Sequence, residues 1–434
     1  MSAERQQSTE GTERQLSKKG KEVILGMDAS RGGDAGIPKG YKWTEVGVIP
    51  EDWFFQTLRE DVALLSGHHV LAQHCNTRGD GVPYLTGPAD FPEGRVEQTK
   101  FTNRPSTICQ AGDILVTVKG SGSGTIVEAD ASYCISRQLM AIRVKSWNSK
   151  FLLYSILQNA SRIKSASTGL IPGLSRSDIL DQEIPLPNNS AEQRTIAEAL
   201  SDVDGLIEAL EALITKKRAI KQAAMQQLLT GKTRLPGFSG AWETKRMAED
   251  VTLLSGQHVM AGHCNTRGDG APYLTGPADF PDGRIQQTKF TVKPTTLCRI
   301  GDILVTVKGS GSGTLVVADG EYCISRQLMA IRTSCWNATY LFYSLLQNAS
   351  RIAAASTGLI PGLSRADILE QELPLPSEVA EQTAIATALS EMDAEIAALE
   401  RRRDKTRAIK QGMMQQLLTG RIRLVEPKAK EAPR

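Results

Sequence analysis

The sequence carries one long segment twice in tandem, and this internal repeat limits the possible folds more than any other feature. Residues 75–80 (CNTRGD) return as residues 264–269, an offset of 189, and the match continues without insertion until Gly231 corresponds to Gly420. Solenoid repeats have periods of about 20–50 residues. A period this long therefore indicates two copies of a complete domain.

Each copy begins with a mixed segment that predicts an α+β globule. Residues 45–187 and 237–376 are rich in Gly, Pro and Thr and contain short runs of β-forming residues. Residues 113–118 and 139–144 predict strands, whereas residues 151–167 predict one helix because apolar residues recur there at helical spacing.

The second part of each copy predicts a long helix. Residues 191–230 and 379–419 contain no Pro and little Gly, and they are rich in Ala, Leu, Glu, Lys, Arg and Gln. Ser190, with Gln193 three residues later, fits a capping box at the start of the first helix. A glycine follows each segment where a C-terminal helix cap is expected.

An apolar seam with coiled-coil spacing runs along each predicted helix. Its steps alternate between four and three residues, as in a heptad repeat. In the first copy the seam then shifts through Ile220, Ala224 and Leu228, which resembles a stutter. The seam residues are Ile196, Leu200, Val203, Ile207, Leu210 and Ile214 in the first copy, and Ile385, Leu389, Met392, Ile396 and Leu399 in the second.

The seam predicts that the two long helices pair with each other. About 40 residues at 1.5 Å each make a helix roughly 60 Å long, and a narrow apolar stripe on such a helix needs a partner. If a two-fold axis relates the copies, the helices run antiparallel with the globules at opposite ends. The predicted fold is α+β, with two pseudo-twofold-related globular domains joined by two long antiparallel coiled-coil helices.

Composition divides the chain into six segments. The first segment mixes Gly, Ser and charged residues with little apolar content, which is typical of disorder, and the C-terminal tail has the same character. The predicted segments are residues 1–41 as an N-terminal extension, 42–188 as the first globular domain, 189–231 as the first helix, 232–377 as a linker and the second globular domain, 378–420 as the second helix, and 421–434 as the tail.

Composition also excludes several classes of protein. The mean hydropathy is −0.24, and no apolar run approaches the ~18 residues of a membrane span. The N-terminus lacks the apolar core of a signal peptide, so we expect a cytoplasmic protein without a membrane partner. Seven Cys without a C-x-x-C pair favour reduced, buried thiols over disulfides or a zinc finger. A formal net charge of +3 permits a basic face without revealing one.

Motifs for catalysis are missing from the sequence. The dipeptide Gly231-Lys232 lacks the earlier glycine of a phosphate-binding loop, because position 226 is Gln. The Gly/Ser loop 120–124 fails the dinucleotide spacing, since residue 125 is Thr. The sequence therefore predicts no catalytic, cofactor-binding or metal site.

Motifs around the long helices resemble those of a known family. The chain resembles the specificity (S) subunit of type I restriction–modification systems over about residues 42–424. The matching stretches are residues 112–115 (GDIL), 170–175 (LIPGLS), 184–187 (IPLP), 191–193 (AEQ), 219–222 (AIKQ) and 226–231 (QQLLTG), with the second copy matching at 381–382 and 414–420.

The resemblance implies a non-catalytic subunit with two target-recognition domains, each of which reads half of a split target in double-stranded DNA. The helices would set the spacer and dock two modification (methyltransferase) subunits, and two restriction (motor-nuclease) subunits would join them. S-adenosylmethionine, ATP and Mg²⁺ would bind to those partners, and this chain would bind no cofactor. The two domains differ in many members of the family, whereas here they are near copies. We therefore expect a nearly palindromic target.

Loop side chains of the predicted domains are the candidates for contacts with DNA. Lys119 in the Gly/Ser loop suits phosphate, whereas Arg137 and Gln138 combine a guanine-type and an adenine-type reader. The candidates are Arg78, Tyr84, Thr86, Lys119, Ser121, Ser123, Arg137, Gln138 and Arg176 in the first copy, and Arg267, Tyr273, Thr275, Lys308, Ser310, Ser312, Arg326, Gln327 and Arg365 in the second.

Structural roles are open for several of these residues. Arg78 could pair with Asp80, Arg176 could pair with Asp178, and Tyr84 could belong to the core. Basic runs late in the helices favour a solvated face, with contact to the DNA spacer or to a partner as the alternative. These runs contain Lys216, Lys217, Arg218 and Lys221, and Arg401, Arg402, Arg403 and Lys405.

Two other functions stay open at this point. One is a stand-alone DNA methyltransferase or nuclease with a cryptic active site, which would turn over DNA without partners. The other is a coiled-coil scaffold without a DNA role, which would show no site preference at any salt concentration.

Overall fold

The computed structural model describes residues 37–167, 172–309, 311–354 and 362–425. These residues form two compact units. Residues up to 202 and from 410 onward form unit 1, and residues 203–409 form unit 2. Each unit combines one globular domain with parts of both long helices. The predicted N-terminal extension up to residue 36, the tail beyond residue 425, and Ser310 lie outside the described residues.

Unit 1 contains an α+β domain built on two main sheets. Its strands are β1 (Tyr41–Thr44), β2 (Gly47–Pro50), β3 (Trp53–Thr57), β4 (Val62–Ser66), β5 (Cys75–Asn76), β6 (Val82–Leu85), β7 (Phe101–Thr102), β8 (Ile108–Cys109), β9 (Ile114–Thr117), β10 (Ile126–Glu128), β11 (Tyr133–Ile135), β12 (Leu139–Val144) and β13 (Glu183–Pro187). The antiparallel four-stranded sheet has the order β10-β9-β12-β4, and the five-stranded sheet has the order β5-β7-β6-β11-β8 with β6 and β11 parallel. The remaining strands form the pairs β1-β2 and β3-β13.

Short helices complete unit 1. They are α1 (Leu58–Asp61), α2 (Ser149–Gln158), α3 (Ala160–Ala166) and α4 (Arg176–Leu180), with single 3₁₀ turns at Ala72–His74, Pro88–Asp90 and Pro92–Gly94. The predicted strands at 113–118 and 139–144 are confirmed by β9 and β12. The single helix predicted over 151–167 is wrong, because Asn159 leaves the helical region at ψ 5° and separates α2 from α3.

Unit 2 repeats this domain. Its strands are β14 (Trp242–Arg246), β15 (Val251–Ser255), β16 (Cys264–Asn265), β17 (Ala271–Leu274), β18 (Phe290–Thr291), β19 (Leu297–Cys298), β20 (Ile303–Thr306), β21 (Leu315–Val317), β22 (Tyr322–Ile324), β23 (Leu328–Thr333) and β24 (Glu372–Pro376). Its short helices are α6 (Met247–Asp250), α7 (Ala338–Gln347), α8 (Ala349–Ala354) and α9 (Arg365–Leu369), named to follow the first long helix, α5 (Ser190–Leu228). Its 3₁₀ turns are Ala261–His263, Pro277–Asp279 and Pro281–Gly283.

The four-stranded sheet is covered on both faces. Successive side chains of a strand point to opposite faces, and β9 shows this within unit 1. Ile114 and Val116 join the cluster that contains Phe151 of α2, whereas Leu115 joins Tyr133 of the five-stranded sheet. The sheet is therefore the centre of the globular domain, and the loops at its ends are fixed by a buried framework.

The two long helices, α5 and α10 (Val379–Leu417), have 39 residues each. The predicted C-terminal caps are confirmed by the positive φ angles of Gly231 (69°) and Gly420 (68°). The capping box predicted at Ser190 is wrong, since Ser190 is already helical and the side chain of Asn189 accepts the N–H of Ala191 at 3.0 Å.

Gln193 does not cap the helix as predicted but connects the start of α5 to neighbouring backbone groups. Its side chain is buried, its Oε1 accepts the N–H of Asn148 at 3.1 Å, and its Nε2 donates to the carbonyl of Pro187 at 3.4 Å. Gln193 therefore ties the start of α5 to the globular domain of unit 1.

Within unit 2 the long helices pair in antiparallel fashion. Arg407 of α10 contacts Glu211 of α5 at 2.5 Å, and Lys221 contacts Asp393 at 2.6 Å. From Glu211 to Lys221 the contacted residue of α10 changes from Arg407 to Asp393, so the two helices run in opposite directions. The predicted seam is buried at Ile207, Leu210, Ile214 and Ile396. The predicted α+β class and the antiparallel pairing of the long helices are confirmed.

The seam continues beyond Ile214 without the predicted stutter. Ile220 is 44% exposed, so its placement in the seam was wrong. The four-and-three spacing instead passes through Lys217 and Lys221, whose aliphatic stems can lie along the seam while their charged ends reach acidic partners. The ammonium of Lys217 lies 2.7 Å from Glu395.

The basic runs are therefore only partly a solvated face. Lys216, Arg401, Arg402 and Lys405 are exposed, as that interpretation requires. The prediction of a solvated face was wrong for Lys217 and Lys221, which are half-buried and pair with Glu395 and Asp393 of α10. Arg218 is exposed, as that interpretation requires, and also pairs with Glu400 of α10.

Buried ion pairs fix the start of each long helix. In unit 2 the guanidinium of Arg234 holds both carboxylate oxygens of Glu381, at 2.5 and 2.7 Å, and Glu381 is 1% exposed. In unit 1 Arg423 holds Glu192 in the same bidentate way, at 2.8 and 2.6 Å. The hydrogen bonds that Arg423 donates to Glu192 and Asp52 raise the pKa of Arg423.

Replacing Arg234 by Ala should destabilise unit 2 by about 3–5 kcal/mol, because the buried carboxylate of Glu381 would lose its partner. Urea unfolding followed by circular dichroism measures this loss. The matched control is Arg218→Ala. The Arg218 side chain is 63% exposed, so its ion pair with Glu400 should contribute less than about 1 kcal/mol. Equal losses in the two variants would contradict a special role of the buried pair.

Candidate nucleic-acid interface

Five loops of unit 1 meet at one end of the four-stranded sheet. The antiparallel pairs place Leu139 opposite Thr117 and Met140 opposite Ser66, so the end of β9, the start of β12 and the end of β4 coincide. The parallel strands β6 and β11 end in the same region, since the N–H of Ser136 donates to the carbonyl of Leu85. We call this surface the loop face; it consists of residues 67–69, 86–90, 118–124, 136–138 and 172–176.

Hydrogen bonds between neighbouring loops hold the loop face together. The N–H of Val118 donates to the carbonyl of Gln138 at 2.7 Å, and the N–H of Leu174 donates to the carbonyl of Val118 at 2.9 Å. The hydroxyl of Ser136 donates to the carbonyl of Thr86 at 2.7 Å. The loops are therefore ordered before any ligand arrives.

Lys119 stands at the centre of these contacts. It is exposed and forms an isolated β-bridge with Gly173, while the next N–H, of Gly120, donates to the carbonyl of Pro172. Gly120 has a φ angle of 90°, a conformation that disfavours other residues. The chain turns sharply after Lys119 and leaves its ammonium group exposed for an anion.

The two serines of the Gly/Ser loop have different environments. Ser121 is exposed, as a contact with DNA requires. Ser123 is 4% exposed, and its hydroxyl has no hydrogen-bond partner among the described residues. Its predicted contact with DNA was therefore wrong. In unit 2 the corresponding Ser312 is half-buried, and Ser310 is outside the described residues.

Arg137 and Gln138 are exposed side by side on the loop face. The N–H of Gln138 donates to the hydroxyl of Ser136 at 3.1 Å, which fixes the backbone of the pair. The Gln138 amide also lies against Gly87, where any Cβ atom would collide with it. The pair thus combines an exposed guanidinium with an amide whose position is restrained by packing.

Arg176 helps to build the loop face. Its guanidinium donates to the hydroxyl of Ser66 at 2.8 Å and to the carbonyl of Leu64 at 3.0 Å, so it joins α4 to the end of β4. The alternative pair with Asp178 is wrong, because that carboxylate accepts the N–H of Ser175 at the start of α4. Arg176 remains exposed and adds positive charge.

Tyr84 belongs to the core, and its predicted contact with DNA was wrong. The side chain is 5% exposed, and its hydroxyl accepts the N–H of Val70 at 3.3 Å. Burial raises the pKa of Tyr84. Tyr273 in unit 2 is 6% exposed, and burial raises its pKa in the same way.

Thr86 organises a loop in place of the predicted contact. Its hydroxyl donates to Asp90 at 2.8 Å, and the same carboxylate oxygen accepts the N–H of Thr86. Thr275 and Asp279 repeat this arrangement in unit 2. Lys100, which sequence reasoning missed, places its ammonium 3.4 Å from the Thr86 hydroxyl. Lys100 is far in sequence from most of the loop-face segments, so no sequence pattern indicated that it lies beside Thr86.

Arg78 lies apart from the loop face. It stands in the turn that precedes β6, whereas the loop face begins where β6 ends. Its guanidinium lies 3.4 Å from Asp80, as the alternative interpretation expected, and is 81% exposed. Arg267 repeats this pair with Asp269 at 3.3 Å.

The loop face is positively charged although the whole chain is nearly neutral. Lys119, Arg137 and Arg176 are exposed on it, whereas its carboxylate, Asp90, is buried and hydrogen-bonded. In unit 2 the corresponding side chains of Lys308, Arg326, Gln327 and Arg365 are likewise exposed. Such a surface attracts an anionic backbone and presents guanidinium and amide groups to it.

Side chains that could hold a metal ion do not cluster in the described structure. In residues 37–425, apart from the undescribed gaps, no three His, Cys, Asp or Glu side chains cluster as a metal site requires. Burial raises the pKa of the Cys109 and Cys298 thiols to about 11, so both stay protonated at neutral pH. Cys335 is exposed, contrary to the prediction of buried thiols. Among the described helices, none is both long and apolar enough to span a bilayer.

Solved structures with the same fold include two from type I restriction–modification systems. A type I S subunit from M. genitalium matches with a TM-score of 0.59 and 18% identity, over 84% of this chain and 96% of that one. A chain from a structure of type I complex assembly and conformational transition matches with a TM-score of 0.54 and 21% identity, over 86% and 99%.

Sequence relatives agree with the structural matches. The type I restriction enzyme MjaVIII specificity subunit of Methanocaldococcus jannaschii is 23% identical over 87% of this chain and 94% of its own length. A provisionally named MjaX specificity subunit from the same organism is 30% identical, but the match spans 45% of this chain and 47% of the relative.

The family model for the type I restriction modification DNA specificity domain matches twice, at residues 50–221 and 240–407. These two matches cover most of the chain and follow the internal repeat. The chain therefore belongs to the family of type I restriction–modification DNA specificity proteins.

Proposed function

We propose that this chain is the non-catalytic, DNA-reading subunit of a type I restriction–modification complex. The observation that carries the proposal is the loop face, a preorganised and positively charged surface that occurs once in each unit. Phosphate contacts set the position of a protein on DNA, whereas contacts with base edges select the sequence. The loop face offers side chains for both tasks.

Each reading residue has a chemical role in this proposal. Lys119 and Lys308 bind phosphate, because an exposed ammonium next to a tight glycine turn can approach the backbone closely. Arg137 can bind guanine O6 and N7 with two hydrogen bonds, and Gln138 can bind adenine N6 and N7. Arg176 positions the loops and adds charge.

The repeat makes the target nearly palindromic. The segments of the loop face are almost identical in the two copies, including residues 118–124 and 307–313 (VKGSGSG) and residues 136–138 and 325–327 (SRQ). Identical surfaces make identical contacts, so the two domains should read the same or closely related half-sites.

The long helices set the spacer between the half-sites and dock the partners. Two continuous helices of 39 residues, about 58 Å each, are held in register in unit 2 by an apolar seam and ion pairs. Two modification subunits would bind S-adenosylmethionine and methylate adenine, and two restriction subunits would bind ATP and Mg²⁺. The described residues of this chain offer no such site, and we place the complex in the cytoplasm with the DNA.

Lys119→Ala should weaken binding to DNA and reduce its salt dependence, because one phosphate contact disappears. The slope of log K against log [salt] should fall in magnitude by about 1. Fluorescence anisotropy with a duplex of random sequence measures this slope. Arg59→Ala is the matched control, since Arg59 lies beyond the opposite end of β4 and pairs with Asp181. A slope that changes in the control and not in Lys119→Ala would contradict the assignment.

The methylated target should consist of two similar half-sites in inverted orientation. Sequencing of modified adenines in a host that expresses the chain with its modification subunit reports both halves and the spacer together. Two unrelated half-sites would refute the symmetry. Methylation or cleavage of DNA by the purified chain alone would instead favour a stand-alone enzyme.

Lengthening both helices should lengthen the spacer. Seven residues inserted after Glu211 and seven before Arg407, which face each other in unit 2, add about 10 Å of helix, close to three base pairs. The same sequencing experiment measures the new spacer. A seven-residue insertion after Gly237 in the linker is the control and should leave the spacer unchanged. An unaltered spacer in the lengthened variant would exclude the ruler role.

A further inference from the structure

The loop face differs between the two copies at one position. Residues 67–69, 86–90, 118–124, 136–138 and 172–176 match their counterparts 189 positions later, except that His68 is replaced by Gln257. The difference stands within the surface that the proposed function assigns to DNA reading, and the inference below rests on that proposal.

The backbone places these two residues identically. The N–H of His68 donates to the carbonyl of Ile135 at 3.2 Å, and the N–H of Gln257 donates to the carbonyl of Ile324 at 3.1 Å. Both side chains are exposed. Ile135 and Ile324 precede the Arg-Gln pairs 137–138 and 326–327 by two residues. Position 68 and its counterpart 257 therefore adjoin these pairs.

A further neighbour fixes the location of His68 on the loop face. Ser66, two residues earlier, accepts a hydrogen bond from Arg176. Position 68 is therefore tied by its backbone to the segment that precedes Arg137 and Gln138, and it follows by two residues the serine that Arg176 contacts. A side chain at this location is part of the reading surface, and its replacement changes the chemistry presented to a base.

His68 and Gln257 offer different hydrogen-bonding groups. The hydroxyl of Thr107 donates its hydrogen to the carbonyl of Ser66 at 3.0 Å, so it accepts from Nδ1 of His68, 2.8 Å away. Nε2 is then the single ring nitrogen left for a ligand. The amide of Gln257 offers a donor and an acceptor together, the pair that matches adenine N6 and N7.

We infer that residue 68 and its counterpart 257 select a base, so that the two half-sites differ at one base pair. Gln257 selects adenine at that position. His68 has one ring nitrogen, Nε2, free for a ligand. It therefore makes a single hydrogen bond there and selects a different base. The target is thus nearly, and not fully, palindromic.

A second difference lies beside the loop face and serves as a control. Lys164 lies against Gly124 of the Gly/Ser loop, and its counterpart is Ala353, which lies against Gly313. A lysine on a flexible stem is a point charge. Lys164 should therefore strengthen binding to the DNA phosphates without selecting a base.

The test compares four full-length proteins, each co-expressed with the modification subunit: the natural chain, His68→Gln, Gln257→His and Lys164→Ala. Modified adenines are mapped across the host genome, and thermal melting checks that each variant is folded. The natural chain should give half-sites that differ at one base pair. His68→Gln should make both halves equal to the Gln257 half, with a preference for its base of roughly tenfold or more over the original.

The remaining variants complete the comparison. Gln257→His should make both halves equal to the His68 half, and Lys164→Ala should lower the extent of modification without altering the sequence. Identical half-sites in the natural chain, or half-sites that stay unequal in folded His68→Gln, would overturn the inference and leave the proposed function intact. Unrelated half-sites, or no modification, would count against the proposed function itself.

Discussion

The burial of one narrow apolar seam on each long helix is the constraint on which the architecture depends. A 39-residue helix with a single apolar stripe is unstable without a partner, because most helical stability in proteins comes from packing. In unit 2 the partner is the other long helix, and Ile207, Ile214 and Ile396 are buried between them. Lys217 and Lys221 occupy further seam positions and pair with acids of α10, which favours this antiparallel register over others.

The loop face shows how a rigid sheet positions groups for recognition. Its loops begin and end where β4, β9 and β12 pair, so strand register determines which loops meet. Hydrogen bonds between the loops, as from Val118 to Gln138, restrict them further. Ordering the surface in advance lowers the entropy cost of binding. The recognition chemistry can then reside in a few exposed side chains, among them Lys119 and Arg137.

The sequence predicted several exposed residues of the loop face correctly, but it also proposed DNA contacts for residues that are buried. Lys119, Arg137 and Gln138 are exposed on the loop face as predicted. Tyr84 lies in β6 and Ser123 lies in the Gly/Ser loop, yet both are buried, because strands and loops alike contribute side chains to the core beneath them. His68 was missed for a similar reason, since its proximity to the Arg-Gln readers arises through a hydrogen bond to Ile135, far away in sequence.

By itself the sequence determined the duplication, the α+β character of each copy, the two long helices and their glycine caps. These features follow from local propensity, periodicity and self-similarity, which can be read along the chain. Only the tertiary structure decided that α5 and α10 pair through Lys221 and Asp393, that Asn189 caps α5, and which loops converge. Such contacts join residues far apart in sequence, and they depend on strand register and burial, which no local pattern encodes.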